Sequence, residues 1–130
     1  MVKFRNASNY YFRSFYENHY CDALDNLQVY FVPKEHKHID AFSIYGNCIF
    51  CDMMLVDEFN LSTMECISCI AHEVGHFVSQ QRDDVEDQNE REILADQYVV
   101  DLGLAEHLIS ALNKMCPEDE LTKMRIKNMS

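Results

Sequence analysis

With 130 residues, 48% of them hydrophobic and 25% charged, the chain is long enough for one domain around one core, and its composition argues against wholesale disorder. The formal net charge of −11 argues against nucleic-acid and anionic-membrane partners, which require basic patches, and favours neutral or basic substrates. No apolar signal core follows Met1-Val2-Lys3-Phe4-Arg5, and runs such as Met53-Met54-Leu55-Val56 are far too short to span a bilayer, so a soluble cytoplasmic protein is expected.

Three glycines and two prolines leave the chain sparsely punctuated, and helices should dominate. Tyr10, Tyr11, Phe12, Phe15, Tyr16 and Tyr20 recur at spacings that predict an amphipathic helix over 9–20, its aromatic stripe facing the core. Leu27 to Val32 reads as a strand stopped by Pro33. His36 and His38 follow in a segment read as an exposed loop rather than as metal ligands. Ala41 to Tyr45 alternates as a strand, Gly46-Asn47 makes a hairpin turn, and Asn47 to Leu55 is the third strand.

Ser62 followed by Glu65 is a capping-box pattern. The apolar stripe behind it (Ile67, Ile70, Ala71, Val74, Phe77, Val78) predicts a helix running to about Gln81. The acidic stretch 83–87 reads as a solvated connector. A second long helix is expected over 88–102, stopped by Gly103, and a third over 105–115. Pro117 should open a last helix, with Glu118, Asp119 and Glu120 early and Lys123, Arg125 and Lys127 late, an order that complements the helix dipole. The fold class is therefore α+β: mostly helical, with a small three-stranded sheet packed on two long helices and terminal helices closing the core.

The six cysteines are Cys21, Cys48, Cys51, Cys66, Cys69 and Cys116. Cys48/Cys51 and Cys66/Cys69 have C-x-x-C spacing, but the first pair lies on a strand, which points the two thiols to opposite faces, and the second lies inside a helix. They read as buried core thiols rather than as a second metal site.

The chemistry is concentrated in His72-Glu73-Val74-Gly75-His76. Histidines four apart on a helix project from one face, one turn apart, and can share one zinc ion. Glu73 is offset from the pair and can serve as a general base toward a water at the site. Gly75 permits close approach of another backbone or of a substrate strand. A third protein ligand is needed, and Glu92 on the next helix supplies it. Asp96, four residues on, shares that face and can accept a hydrogen bond from the distal N–H of a ligand histidine. The small Ala95 lets the two helices come close.

H-E-x-x-H followed on another helix by E-x-x-A-D resembles the gluzincin peptidases of the HtpX and CaaX-prenyl-endopeptidase type. The order of Asp40-Ala41-Phe42-Ser43, a strand and then the motif helix is similar to theirs, and the match covers residues 27–104. Without the family's transmembrane helices, the chain looks more like the soluble minigluzincins, which keep only the catalytic core and include latent forms. The resemblance implies a zincin-type helix core, one catalytic zinc ion and hydrolysis of a peptide or protein substrate. It further implies that Ala41, Phe42 and Ser43 line the cleft and pair with the substrate. The family's C-terminal His-Pro…Arg segment has Cys116 where its histidine would stand. Arg125 then reads either as an oxyanion stabiliser or, by preference, as a plain helix-terminal cation, and His107 is a second candidate stabiliser. The short spacing from His76 to Glu92 also suits the ImmA/IrrE-like peptidases, which cleave repressors. A non-catalytic binding module that keeps the fold and the metal is the alternative from another class.

Overall fold

The computed structural model describes residues 3–4, 27–32, 41–79 and 87–130. The expected helix over 9–20, Cys21, Pro33, His36, His38, Asp40 and the connector residues 83–86 lie outside these, as does any continuation of the motif helix past Ser79.

The described elements are strands β1 (Lys3–Phe4), β2 (Gln28–Val32), β3 (Phe42–Tyr45) and β4 (Cys48–Asp52), followed by helices α1 (Met53–Glu58), α2 (Thr63–Ser79), α3 (Gln88–Asp101), α4 (Ala105–Met115) and α5 (Glu120–Met129). The α+β class holds, and the three expected strands form the sheet. Two-residue β1 extends it, giving the order β1-β2-β4-β3. β1 and β2 are parallel, as are β2 and β4, while β3 runs antiparallel to β4 across the Gly46-Asn47 turn. Gly46 sits at φ +61°, the left-handed conformation such a turn needs. Among the described strands β3 forms one edge of the sheet and β1 the other.

Register and the two-residue period put Val29, Phe31, Ile44, Ile49 and Cys51 on one face. These residues join Cys66, Ile67, Ile70, Ala71 and Val74 of α2 in the core. On the opposite face Tyr30 stacks on Phe50 with ring centroids 5.5 Å apart, and Tyr45 meets Phe50 edge-on. Cys51, Cys66 and Cys69 are buried, as expected of core thiols, and Cys48 faces the other way. Burial pushes the Cys66 thiol up to about 12, helped by the Glu65 carboxylate, so it stays protonated. No described helix is long and apolar enough to cross a membrane.

Two expected boundaries differ. Met53 to Leu55 are helix, not strand, because Asp52 Oδ1 accepts hydrogen bonds from the backbone N–H groups of Met54 and Leu55 and caps α1. The last helix starts at Glu120 rather than at Pro117, since Asp119 takes the N-cap and accepts from the Thr122 N–H. Elsewhere among the described residues the signals hold. Gly103 at φ +80° closes α3, with Leu104 N–H bonded to Val99 O and Gly103 N–H to Val100 O.

The capping box at the start of α2 forms reciprocally: Glu65 Oε1 accepts from Ser62 N–H at 2.9 Å, and Ser62 Oγ accepts from Glu65 N–H at 3.2 Å. The same carboxylate receives Lys114 Nζ at 2.7 Å and Ser110 Oγ at 2.9 Å, tying α4 to α2. Burial would raise the Glu65 pKa, but the bonds from Lys114, Ser62 and Ser110 outweigh it and hold the group at about 2. A carboxyl depressed on folding contributes stability in full above its unfolded pKa of about 4.3 and loses it as pH falls through the folded value. Lys114→Met should therefore lower Tm at pH 7 by several degrees, since a hydrogen bond to a charged group is worth about 1.5–3 kcal/mol. The gap from wild type should close as thermal melts are taken from about pH 5 down to pH 2. A gap independent of pH would mean that the Lys114 stem, not its charge on Glu65, is what matters.

Candidate metal centre

His72 and His76 stand one turn apart on α2, their ring centroids 4.6 Å apart and their planes 88° to each other. Between them the helix presents Gly75 to α3. A Cβ at Gly75 would lie 2.8 Å from the Ala95 carbonyl oxygen, 2.9 Å from Ala95 Cα and 3.0 Å from Tyr98 Cβ. The two helices therefore meet backbone to backbone at Gly75 and Ala95, the close approach that these small residues predict. That contact brings Glu92, one turn before Ala95, within reach of both imidazoles.

Glu92 Oε2 is 3.0 Å from His72 Nε2, and Glu92 Oε1 is 3.3 Å from His76 Nε2. One ligand atom from each of the three side chains lies within 4.8 Å of the others, so the group could hold a metal ion. Two imidazole nitrogens and a carboxylate oxygen are a donor set suited to a divalent transition ion, with open positions left over. On the far side of His72, Nδ1 lies 2.9 Å from Asp96 Oδ1. This is the arrangement expected of Asp96: the carboxylate accepts a hydrogen bond from Nδ1–H, fixes the ring and leaves Nε2 to face an ion.

Arg125 departs from expectation. It is not a solvated helix-terminal cation but is 9% exposed, and it grips Asp96 with the Nε–Nη2 edge of its guanidinium. Its Nε donates to Asp96 Oδ2 at 2.9 Å and its Nη2 to Asp96 Oδ1 at 2.8 Å. Nη1 lies 3.7 Å from Glu92 Oε2. The guanidinium is thus committed to the back of the histidine ligand. His107 is half-buried on α4 and does not line the cavity described below.

The electrostatics follow from this packing. Burial lowers the His72 pKa, but the Asp96 and Glu92 bonds more than offset that and hold it up at about 9. Without an ion, His72 is therefore an imidazolium between two carboxylates, and metal uptake must release its Nε2 proton. Burial raises Glu92 and Asp96 as well, yet His72 with His76 pulls Glu92 well below the usual carboxylate range, and Arg125 with His72 lowers Asp96. Glu73 goes the other way. It is 8% exposed, and burial lifts its pKa against the pull of His72 and His76. A carboxylate raised in this way is a better proton acceptor than a free one.

His72, Glu73, His76, Glu92 and Arg125 open into one cavity of about 760 Å³. Ala41, Phe42 and Ser43 line it, as expected, from the β3 edge. Glu73, His72, His76 and Glu92 form part of its wall, and Arg125 reaches it from α5. Cys116 is a lining residue outside the three-ligand group, its Sγ 3.1 Å from Thr122 Oγ1. The sequence reading missed the wall contributed by α4: Leu108, Leu112 and Met115. Their signal was a helical apolar stripe, which reads equally well as ordinary core.

No family model matches the chain, and neither a curated protein nor a solved structure matches it. Any functional reading therefore stands on the residues and geometry of the site.

Proposed function

We propose that the chain is a zinc-dependent endopeptidase, with His72, His76 and Glu92 as the metal ligands and Glu73 as the general base. The observation that carries this reading is the placement of Glu73 beside the three-ligand group in the wall of a cleft that an edge strand also lines. A metal-storing or purely structural site has no use for a buried carboxylate there. His72, His76 and Glu92 would hold the zinc ion, which would supply Lewis acidity toward a peptide carbonyl and a water. Glu73 takes a proton from the attacking water as its oxygen bonds to the carbonyl carbon. It returns that proton to the amine nitrogen as the C–N bond breaks. Asp96 keeps the His72 proton on Nδ1. Among the described residues no strand pairs with the outer edge of β3, which offers backbone groups to which an extended peptide can add as a strand. The resemblance to the HtpX-type gluzincins and their soluble minigluzincin relatives points the same way, and the ImmA/IrrE-like peptidases remain an alternative within the same chemistry.

The direct test is a peptide-library digest by zinc-loaded protein. Glu73→Ala should bind zinc as wild type does and hydrolyse about 10²–10⁴-fold more slowly, the usual worth of a positioned general base. Absence of near-stoichiometric zinc from the purified wild type, with no stabilisation by added zinc, would sink the reading. A second reading, a non-catalytic binding module that keeps the metal, is favoured by one observation. Arg125, one of the two candidate oxyanion stabilisers, is engaged by Asp96. Zinc uptake with no hydrolysis by either protein would select it.

A further inference from the structure

The wall of the cleft is uneven in charge. Glu92 meets His76 and Asp96 meets His72, so α3 runs antiparallel to α2. The start of α3 therefore lies beside the end of α2, and Gln88 and Arg91 line the cavity there together with Ser79. Arg91 directly precedes Glu92, and Gln88 precedes it by one turn, about 6 Å along the helix axis. Both side chains are exposed, which places them at the rim of the cavity. Two guanidinium groups line it among the described residues. Arg125 sits behind His72 and is held by the Asp96 carboxylate, while Arg91 brings positive charge to the His76 end. Ser79 Oγ donates to the His76 carbonyl oxygen at 3.2 Å, so Arg91 and Gln88 are the donors that this end can offer to an anion.

We propose that Arg91 is a specificity-determining residue, pairing with an aspartate or glutamate of the substrate that lies within two residues of the scissile bond. The inference rests on the peptidase reading and narrows its substrate class. The scissile bond has to sit at Glu73 and the three-ligand group. An extended peptide advances about 3.3–3.4 Å per residue, so the turn of α3 between Glu92 and Gln88 spans about two residues of it. A carboxylate at that distance can accept parallel N–H bonds from the Arg91 guanidinium, with the Gln88 amide as a further donor. A lysine or arginine in the same place meets Arg91 as a like charge, which disfavours it. The net charge of −11 points the other way, toward neutral or basic substrates. That field is largely screened beyond about 8 Å at physiological salt, whereas the Arg91 contact is local and decides between substrates already in the cleft.

The test is a digest, by zinc-loaded protein, of a peptide library randomised at the two positions on each side of the cleaved bond. At one of those positions the wild type should favour Glu and Asp over Gln and Asn by about 3–5-fold in kcat/KM, the worth of one partly exposed ion pair. Raising the salt from about 0.05 M to about 0.5 M should shrink that ratio. Arg91→Gln, at an exposed position, should fold and bring the ratio to about one, and Arg91→Glu should turn the preference toward Lys. Each ratio compares two residues on the same protein, so any change in zinc occupancy caused beside Glu92 cancels. A wild type without an acidic preference, or a preference that persists in Arg91→Gln, overturns the inference and leaves the peptidase reading intact. No cleavage by the zinc-loaded wild type overturns both.

Discussion

Saturating zinc should raise the melting temperature of the wild-type chain by about 10–15 °C and leave that of Glu92→Ala almost unmoved. An ion that binds only the folded state stabilises it by about 4 kcal/mol at a thousand times its dissociation constant. For a chain of this length that corresponds to a shift of the stated size. The triad exists only in the fold, because α2 supplies two donors and α3 the third, joined at the Gly75–Ala95 contact. An unfolded chain leaves His72 and His76 with no fixed partner. The quantity to compare is the increment produced by zinc, since Glu92→Ala also removes an acceptor from both imidazoles and so changes the metal-free protein. Glu73→Gln is the control that gives the experiment its point. Glu73 is as buried as His72 and adjoins it in sequence, but it lies outside the three-ligand group, so its variant should keep the full increment. If Glu92→Ala kept the increment, the ion would be held by other residues. If Glu73→Gln lost it, Glu73 would be a ligand and could not be the base.

How much of this was legible depends on the range of the interaction concerned. The capping box of Ser62 and Glu65, the Gly103 stop and the Gly46-Asn47 turn are each decided within a few residues, and each forms as read. The pairing of His72 with Asp96 is longer in range but was still readable, because two helices with small residues at matching positions have one way to approach closely. The strand read through Leu55 failed where two local signals competed. Met53 to Val56 is an apolar run without a period to distinguish helix from strand, and the cap provided by Asp52 decides it. Pro117 lost to Asp119 in the same way, as a residue that permits a helix start against one that hydrogen-bonds it. The parallel pairing of β2 with β4 carries no local signal, since its partners are joined by no turn. Arg125 shows the limit most clearly. On its own helix it looks like a cation placed to suit the dipole, and only the position of α5 against α3 turns it toward Asp96, twenty-nine residues away.

That geometry makes Arg125→Met the most damaging single change expected outside the ligands. It leaves Asp96 buried at 3% exposure without its guanidinium, and breaking a buried ion pair from one side costs about 3–5 kcal/mol. It should also slacken the carboxylate that holds the His72 ring, weakening zinc affinity by about 10–100-fold, as loss of an outer support of a ligand does. Arg125→Lys separates the two effects. Lysine restores a charge near Asp96 but offers a point donor in place of two parallel N–H bonds. It should recover much of the melting temperature while zinc affinity, measured by competition with a chelating dye, stays below wild type. Affinity that tracks stability in both variants would mean that Arg125 merely holds α5 to α3. The double variant Arg125→Met/Asp96→Asn completes the cycle. With no buried charge left unpaired, it should cost less stability than the two single changes added together, because much of each single cost is the partner left behind. Zinc affinity should not recover with it, since the asparagine does not hold His72 as a carboxylate does.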